Sequence, residues 1–231
     1  MSSPIILALD TKDVEVAANW IEISRDSINH YKIGLEFFLK HGVSTIKELK
    51  KRFDFELFLD LKLYDIPNTV KGAVESIADL SPKFLTVHAA GGAAMIKSAC
   101  SALPNGSITA VTVLTSFTED AFANLGYKSS IENTVKMWAK SAIDAGATSI
   151  VCSPFEAAMI RQISDSITII TPGVRVEGDD VGDQARVMTP KMAITNGADF
   201  VVIGRSITSQ WNESATVMQS KISTILESIN N

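Results

Sequence analysis

The sequence predicts an α/β fold, a single (β/α)8 TIM barrel that spans residues 1–231 as one domain. Eight short apolar runs recur along the 231 residues, and each is followed by a helical pattern. This spacing gives about 29 residues per unit, the size of one strand–helix repeat. Most of the runs are continuously apolar, which is typical of strands covered on both faces. Eight such units favour a closed barrel over the alternative, an open doubly wound sheet.

The eight predicted strands are rich in β-branched residues and lie at residues 5–10, 31–34, 57–62, 84–88, 108–114, 149–152, 167–171 and 200–204. Gly146 and Gly197 occupy similar places shortly before the sixth and eighth strands. Glycine at such a place is typical of the end of a helix. No change in composition divides the chain, so the pattern predicts one barrel without a domain boundary.

Helix signals fill the segments between the strands. After the third strand, an apolar stripe is formed by Val70, Ala73, Val74, Ile77 and Ala78. Pro67 is a good first-turn residue for this helix, which is expected to end before Ser81. Two capping boxes are predicted, by Ser129 with Glu132 and by Ser153 with Glu156. The last helix is predicted at residues 214–229.

The composition excludes several function classes. The net charge of −5 argues against a nucleic-acid-binding surface. No apolar stretch approaches the roughly 18 residues that cross a bilayer, and the N-terminus lacks the basic segment of a signal peptide. The two cysteines, Cys100 and Cys152, have no companion ligands and are expected to be buried, reduced thiols. We therefore expect a cytoplasmic protein without nucleic-acid or membrane partners.

Polar side chains collect at the predicted C-terminal ends of the strands, where the chemistry of such barrels takes place. They belong to Asp10, Lys32, Asp60, Lys62, His88, Thr115, Ser116, Arg175 and Arg205. A single charged strand end is common on a solvated surface, but this many in succession indicate a functional site. Among them, His88 is expected to bond within the barrel mouth rather than to act in catalysis.

The densest group of these residues lies in the segment Asp60-Leu61-Lys62-Leu63-Tyr64-Asp65-Ile66-Pro67-Asn68-Thr69. Side chains two positions apart on a strand share a face, so Asp60 and Lys62 are expected to point into the same mouth. Neighbouring carboxylates keep a lysine charged, which suits a proton donor rather than an amine nucleophile. Asp65 either returns to this pair or reaches a neighbouring subunit. The alternative is a salt-bridge network that only caps the barrel.

A phosphate-binding site is predicted in the loops after the seventh and eighth strands, where many barrels bind phosphate. These loops contain Gly173, Arg175, Gln184, Gly204 and Arg205. Gly204 permits a close approach of the backbone to an anion, and Arg205 can clamp a phosphate with two hydrogen bonds. Residues 174–187 are long enough to form a lid that orders when a ligand binds.

At these residues the chain resembles the orotidine 5′-phosphate decarboxylase family, in its free-standing, single-domain form. The most specific segment is the D-x-K-x-x-D-I-P-N-T sequence at residues 60–69, and the resemblance covers essentially the whole chain. It implies the decarboxylation of orotidine 5′-monophosphate to uridine 5′-monophosphate and CO2, the last step of de novo UMP synthesis. It also implies that no metal or organic cofactor takes part and that a homodimer shares its active sites.

The resemblance further implies catalytic roles. Lys62 would donate a proton to C6 of the pyrimidine, within an alternating charge network of Lys32, Asp60, Lys62 and Asp65. The residues that would come from the other subunit are Asp65, Ile66 and Thr69. The site would stabilise a carbanion at C6 by electrostatics alone.

The substrate-binding roles follow from the same resemblance. Asp10 and Lys32 would bind the ribose hydroxyls, and Thr115 or its neighbour Ser116 would face the pyrimidine. The phosphate would be bound by Gln184, Gly204 and Arg205, with Arg175 on the lid side.

Two other functions stay open on the sequence. Related barrels use the same Asp-x-Lys-x-x-Asp pattern with Mg²⁺ as sugar-phosphate decarboxylases or aldolases. Those relatives have an acidic residue near strand two, where this chain has Lys32, and a cation there would repel Mg²⁺. The second alternative is a barrel that binds a phosphorylated ligand without catalysis. Such a protein has no need of a proton donor like Lys62.

Overall fold

The computed structural model describes residues 3–175 and 188–230. Its eight strands are β1 (Ile5–Ala8), β2 (His30–Gly34), β3 (Glu56–Leu63), β4 (Phe84–His88), β5 (Ser107–Val111), β6 (Ser149–Val151), β7 (Thr168–Thr171) and β8 (Phe200–Ile203). All neighbouring strands are parallel, and β8 pairs with β1 to close the barrel in sequence order. The predicted TIM barrel is confirmed, and the open-sheet alternative is wrong.

Helices follow the strands and cover the outside of the barrel. They are α1 (Val14–Ser24), α2 (Leu35–Phe53), α3 (Pro67–Ile77), α4 (Gly92–Ala102), α5 (Glu119–Asn124), α6 (Ile131–Asp144), α7 (Ala157–Ile163), α8 (Pro190–Thr195), α9 (Arg205–Thr208) and α10 (Ala215–Asn230). Pro67 is the first residue of α3, as predicted, and α10 matches the predicted last helix within one residue at each end. In the part of the chain that the structure describes, no helix has an apolar stretch long enough to cross a membrane.

Four strands end earlier than the apolar pattern predicts, β6 and β8 by one residue, β1 by two and β5 by three. β1 stops at Ala8 because the Thr11 N–H donates to the Leu9 carbonyl (3.0 Å) and turns the chain. β5 stops at Val111, although Val113 beyond it is still buried. The apolar sequence continues past the end of the pairing because these side chains remain packed at the barrel mouth. The apolar pattern beyond the ends of β1 and β5 therefore reflects the burial of side chains, and not the pairing of strands.

The two predicted capping boxes form only in part. The hydroxyl of Ser130, and not that of Ser129, caps α6 by accepting a hydrogen bond from the Asn133 N–H. The Glu156 carboxylate does accept a hydrogen bond from the Ser153 N–H at 2.9 Å. However, the residues between them form a turn, and α7 begins only after Glu156. The side-chain pattern of a cap therefore occurs here without its helix.

The interior of the barrel changes from aromatic to charged along the strands. At the N-terminal end, His30, Phe58, Phe84 and Phe200 pack against one another, with His30 and Phe200 ring centroids 4.8 Å apart. At the C-terminal end the inward side chains are polar. A second, larger apolar core packs the outer faces of the strands against the helices. One end of the barrel is thus closed, and the other end is available for a ligand.

His30 makes the stability of this aromatic layer depend on pH. The residue is 5% exposed, and its Nδ1 has no hydrogen-bond partner. Burial lowers the pKa of His30 below its ordinary value of 6.5, although Glu56 opposes this shift. The folded protein therefore holds a neutral ring, whereas the unfolded chain takes up a proton below about pH 6.5. Stability should fall as the pH decreases through this value.

We predict that His30→Leu reduces this pH dependence by up to about 1 kcal/mol between pH 7.5 and pH 5.5. Leucine fills a similar volume and cannot bind a proton. The measurement is the free energy of unfolding in urea at both pH values. Ile6→Val, a change in the same inner layer that removes no titratable group, is the matched control and should keep the pH dependence of the parent protein. An unchanged pH dependence in His30→Leu would show that His30 is not its source.

Candidate active site

A cavity of about 390 Å³ opens at the C-terminal ends of the strands. Its wall contains ten of the residues predicted from the sequence to form the site, namely Asp10, Lys32, Asp60, Lys62, Thr115, Ser116, Gly173, Arg175, Gly204 and Arg205. The remaining wall is largely apolar and includes Val111 and Val151. Such a mixture of apolar surface and a few convergent polar groups is typical of a small-molecule site.

One side of the cavity holds a row of alternating charges. The Lys32 Nζ lies 3.0 Å from Asp10 Oδ1 and 3.6 Å from Asp60 Oδ2. The Lys62 Nζ lies 2.7 Å from Asp60 Oδ1. β1 pairs with β2 and β2 pairs with β3, so the parallel pairing of these neighbouring strands brings the four residues together. Asp60 and Lys32 are largely buried, with 12% of each side chain exposed.

The two lysines keep the central carboxyl group ionised. Burial alone would raise the pKa of Asp60, but Lys32 and Lys62 beside it hold that pKa below its usual value. Burial alone would likewise lower the pKa of Lys32, and the carboxylates of Asp10 and Asp60 raise it instead. Asp60 and Lys32 therefore stay charged at neutral pH, and each is placed by its oppositely charged neighbours.

The backbone at Lys62 departs from a regular strand. Its φ is +48°, in the left-handed region, and the register between β3 and β4 shifts between Leu59 and Leu63. The period of two along a strand predicted that Asp60 and Lys62 share one face. The two side chains do meet, but across an irregular stretch of the strand. This irregularity was not predicted, because nothing in the residue types between Leu59 and Leu63 indicates it.

Gly34 leaves room for the ammonium group of Lys32. A Cβ atom on Gly34 would lie 3.1 Å from the Lys32 Nζ, closer than nearly all real contacts. Gly204 has a similar position on the other side of Asp10, where a Cβ atom would lie 3.6 Å from Asp10 Oδ2. Gly34 therefore keeps the space around the Lys32 ammonium open, whereas a Cβ atom at Gly204 would make only an ordinary contact with Asp10.

The opposite side of the cavity carries the residues expected to contact the base and the phosphate. Thr115 is buried and Ser116 is exposed, and both line the cavity. The backbone of Arg175 is held in place, because its main-chain N–H donates a hydrogen bond to the Met188 carbonyl (3.0 Å). Arg205 begins α9 directly after β8. Gln184 lies outside the described residues, as does most of the predicted lid at 174–187.

Three of the predicted site residues lie away from the cavity of their own chain. Asp65 accepts a hydrogen bond from the Ile66 N–H (2.7 Å) within its own turn. Ile66 is 68% exposed, Thr69 is also exposed, and α3 leads away from β3. Asp65 therefore does not return to the Asp60–Lys62 pair of its own chain.

His88 and Cys152 lie near the mouth of the barrel and outside the charged row. His88 packs its ring against Tyr64, with centroids 5.7 Å apart, and burial lowers its pKa. Cys152 is buried and lines the cavity. Cys100 is half-buried on α4, and burial raises its pKa.

Within residues 3–175 and 188–230, His, Cys, Asp and Glu form no group of three or more that could hold a metal ion.

Sequence reasoning missed Thr86 as a member of this site. It lies on β4, is fully buried, and contacts both Asp60 and Lys62 through its hydroxyl. The signal that could have found it is its position two residues before His88, on the face of β4 that points into the barrel.

Comparisons with known proteins agree with this geometry. The profile of the orotidine 5′-phosphate decarboxylase / HUMPS family matches residues 3–219. The chain is 48% identical over 209 residues to orotidine 5′-phosphate decarboxylase of Thermobifida fusca, covering 90% of each chain. It is 42% identical over 224 residues to the enzyme of the same name from Frankia casuarinae, covering 89% of this chain and 82% of that one.

Solved structures give the same result. The crystal structure of orotidine 5′-phosphate decarboxylase from Lactobacillus acidophilus matches the whole of both chains with a TM-score of 0.85 and 32% identity. That from Pyrococcus horikoshii, at 23% identity and a TM-score of 0.79, supports the fold alone. The resemblance identified from the sequence is confirmed. The chain belongs to the orotidine 5′-phosphate decarboxylase / HUMPS family.

Proposed function

We propose that this protein decarboxylates orotidine 5′-monophosphate to uridine 5′-monophosphate and CO2. The observation that carries the proposal is the row Asp10–Lys32–Asp60–Lys62 on one wall of a cavity with Arg205 on its rim. The relatives from Thermobifida fusca and Frankia casuarinae carry the name of this activity. The reaction would complete the synthesis of UMP.

The chemistry requires a fixed positive charge beside the reacting carbon. When the bond from C6 to the carboxyl group breaks, CO2 leaves and the electron pair stays on C6. No organic cofactor is needed if an ammonium group stabilises this charge in a pre-organised site. Lys62 Nζ is held 2.7 Å from Asp60 Oδ1 and would transfer its proton to C6. The Asp60 carboxylate would lie near the departing carboxylate and repel it.

The rest of the substrate would be bound by the remaining wall. We assign the ribose hydroxyls to Asp10 and Lys32, and the pyrimidine to Thr115 or Ser116. The phosphate is assigned to Gln184, Gly204 and Arg205, with Arg175 beside them. Binding of the remote phosphate supplies energy that can be used in the transition state. The single-domain organisation over residues 1–231, the cytoplasmic location and the lack of nucleic-acid or membrane partners stay predictions of the sequence.

The position of Lys32 argues against the Mg²⁺-dependent alternative. Its ammonium group lies between the carboxylates of Asp10 and Asp60, within 3.6 Å of each. A divalent cation bound by these carboxylates would meet a positive charge at close range. The binding-only alternative is tested by turnover itself.

We predict that the protein decarboxylates orotidine 5′-monophosphate in the presence of excess EDTA. The rate is followed by the fall in near-ultraviolet absorbance as substrate becomes product. Protein dialysed against EDTA and then supplied with Mg²⁺ is the control, and both samples should react at the same rate. A reaction that EDTA abolishes and Mg²⁺ restores would favour the sugar-phosphate branch of the family.

Arg205→Ala should weaken the use of the phosphate group. A partly desolvated pair of arginine and phosphate is worth about 2–5 kcal/mol. We predict that kcat/KM for the nucleotide falls by the factor that corresponds to this free energy, whereas kcat/KM for the nucleoside orotidine changes little. Arg52→Ala, an exposed arginine in the last turn of α2, is the matched control. Equal losses for nucleotide and nucleoside would make Arg205 a structural residue instead.

We further propose a homodimer in which Asp65, Ile66 and Thr69 complete the site of the partner. Asp65 lies outside its own cavity, and the large apolar side chains of Tyr64 and Ile66 beside it are more than 60% exposed. An exposed apolar segment of this kind is typical of an interface. A two-fold axis would then create two equivalent composite sites.

This arrangement predicts that two inactive variants restore each other. In a mixed dimer of Lys62→Ala and Asp65→Ala chains, one site collects both defects and the other has neither. Random exchange gives half mixed dimers, so about a quarter of the parent activity should return. The measurement is turnover after the two purified variants have been mixed. If subunit exchange is demonstrated by mass spectrometry and no activity returns, each site is built within one chain.

A further inference from the structure

The hydroxyl group of Thr86 connects the backbone of Lys62 to the side chain of Asp60. It accepts a hydrogen bond from the Lys62 N–H at 2.8 Å and donates one to Asp60 Oδ1 at 3.0 Å. Thr86 itself is 0% exposed on β4. A hydroxyl has one hydrogen to donate, so its donor capacity is used entirely on this carboxylate.

The first of these bonds supports an unfavourable backbone conformation. Residues other than glycine rarely adopt the left-handed region because the Cβ atom crowds the backbone there, and Lys62 has a φ of +48°. Because the register between β3 and β4 shifts between Leu59 and Leu63, the Lys62 N–H is bonded to a side chain of β4. The Thr86 hydroxyl thus accepts the hydrogen bond that a backbone carbonyl of the neighbouring strand accepts in a regular sheet.

The second bond fixes the orientation of Asp60. Its Oδ1 receives the Thr86 hydroxyl and, at 2.7 Å, the Lys62 Nζ. Its Oδ2 faces the Lys32 Nζ at 3.6 Å. With a donor from β4 on Oδ1, rotation of the carboxylate would break a hydrogen bond in a buried place. The position of Lys62 Nζ is therefore determined twice by Thr86, through the backbone of Lys62 and through Asp60.

We propose that Thr86 is a positioning residue that holds the Lys62 ammonium and the Asp60 carboxylate in their reactive arrangement. The role in turnover rests on the function proposed above, whereas the structural link from Thr86 to Lys62 and Asp60 does not. Thr86 does not touch the reacting atoms, so its loss should affect the geometry of the proton donor and leave the phosphate and ribose contacts in place.

The kinetic test compares Thr86→Val with Thr86→Ser. Valine keeps the shape of threonine and removes the hydroxyl, and serine keeps the hydroxyl. A displacement of a catalytic group by about 1 Å costs up to about 100-fold in rate. We expect Thr86→Val to lower kcat for orotidine 5′-monophosphate by about 10–100-fold with KM changed less than about threefold. Thr86→Ser should keep kcat within about threefold of the parent protein.

The matched control is Thr109→Val, which removes a buried hydroxyl from the neighbouring strand β5. The Thr109 hydroxyl contacts Ser149 and none of the charged residues of the cavity wall that the structure describes. This variant should lose stability without the selective loss of kcat. If Thr86→Val leaves kcat unchanged, or if Thr109→Val lowers kcat as much, the proposal is overturned. Should Thr86→Val not fold, Thr86→Ala takes its place with the same expected loss.

A second measurement does not depend on turnover. Hydrogen exchange of the Lys62 amide, followed by NMR, should be at least about tenfold faster in Thr86→Val than in the parent protein, and slow again in Thr86→Ser. The amide of Leu85 on the same strand is the internal reference. Unchanged exchange at Lys62 would contradict the positioning role. A parent protein that makes no CO2 would refute the proposed function instead, so the two failures are distinguishable.

Discussion

The buried carboxylate of Asp60 is the interaction on which the site depends. A largely buried carboxylate is costly to ionise unless positive charges lie beside it. Lys62 at 2.7 Å and Lys32 at 3.6 Å provide these charges, and Asp10 in turn holds Lys32 at 3.0 Å. Each group in the row is stabilised by the next one, so the removal of any of them leaves an unpaired charge. The same ion pairs hold in place Lys62, the lysine that would protonate the substrate.

The parallel pairing of the first three strands makes this row possible. Lys32 lies on β2, Asp60 and Lys62 lie on β3, Asp10 lies two residues after the end of β1, and Thr86 lies on β4 next to β3. The opposite half of the mouth, after β5, β7 and β8, is left for the base and the phosphate. The aromatic layer around Phe84 and Phe200 closes the other end of the barrel. A ligand therefore meets fixed charges on one wall and hydrogen-bonding loops on the other, with a packed layer below.

Much of this arrangement could be predicted from the sequence because it follows from strand order. The eight apolar runs predicted the barrel, and the polar residues at their ends predicted which side chains line the cavity. Local geometry was less accessible. The left-handed Lys62 and the hydroxyl of Thr86 depend on a register shift that arises from the pairing of two strands. The Ser153–Glu156 pattern predicted a helix start, but the chain there forms a turn because side-chain hydrogen bonds alone do not commit it to a helix.

The most direct test of the central claim is the turnover of Lys62→Ala against that of Lys71→Ala. Both remove one lysine, and Lys71 lies on the exposed surface of α3, 49% exposed. A fixed ammonium that both stabilises the carbanion and donates the proton should be worth at least about 10⁴-fold in kcat. We expect this loss in Lys62→Ala, with uridine 5′-monophosphate still bound within about tenfold of the parent affinity, and no loss in Lys71→Ala. Turnover of Lys62→Ala close to that of the parent protein would contradict it.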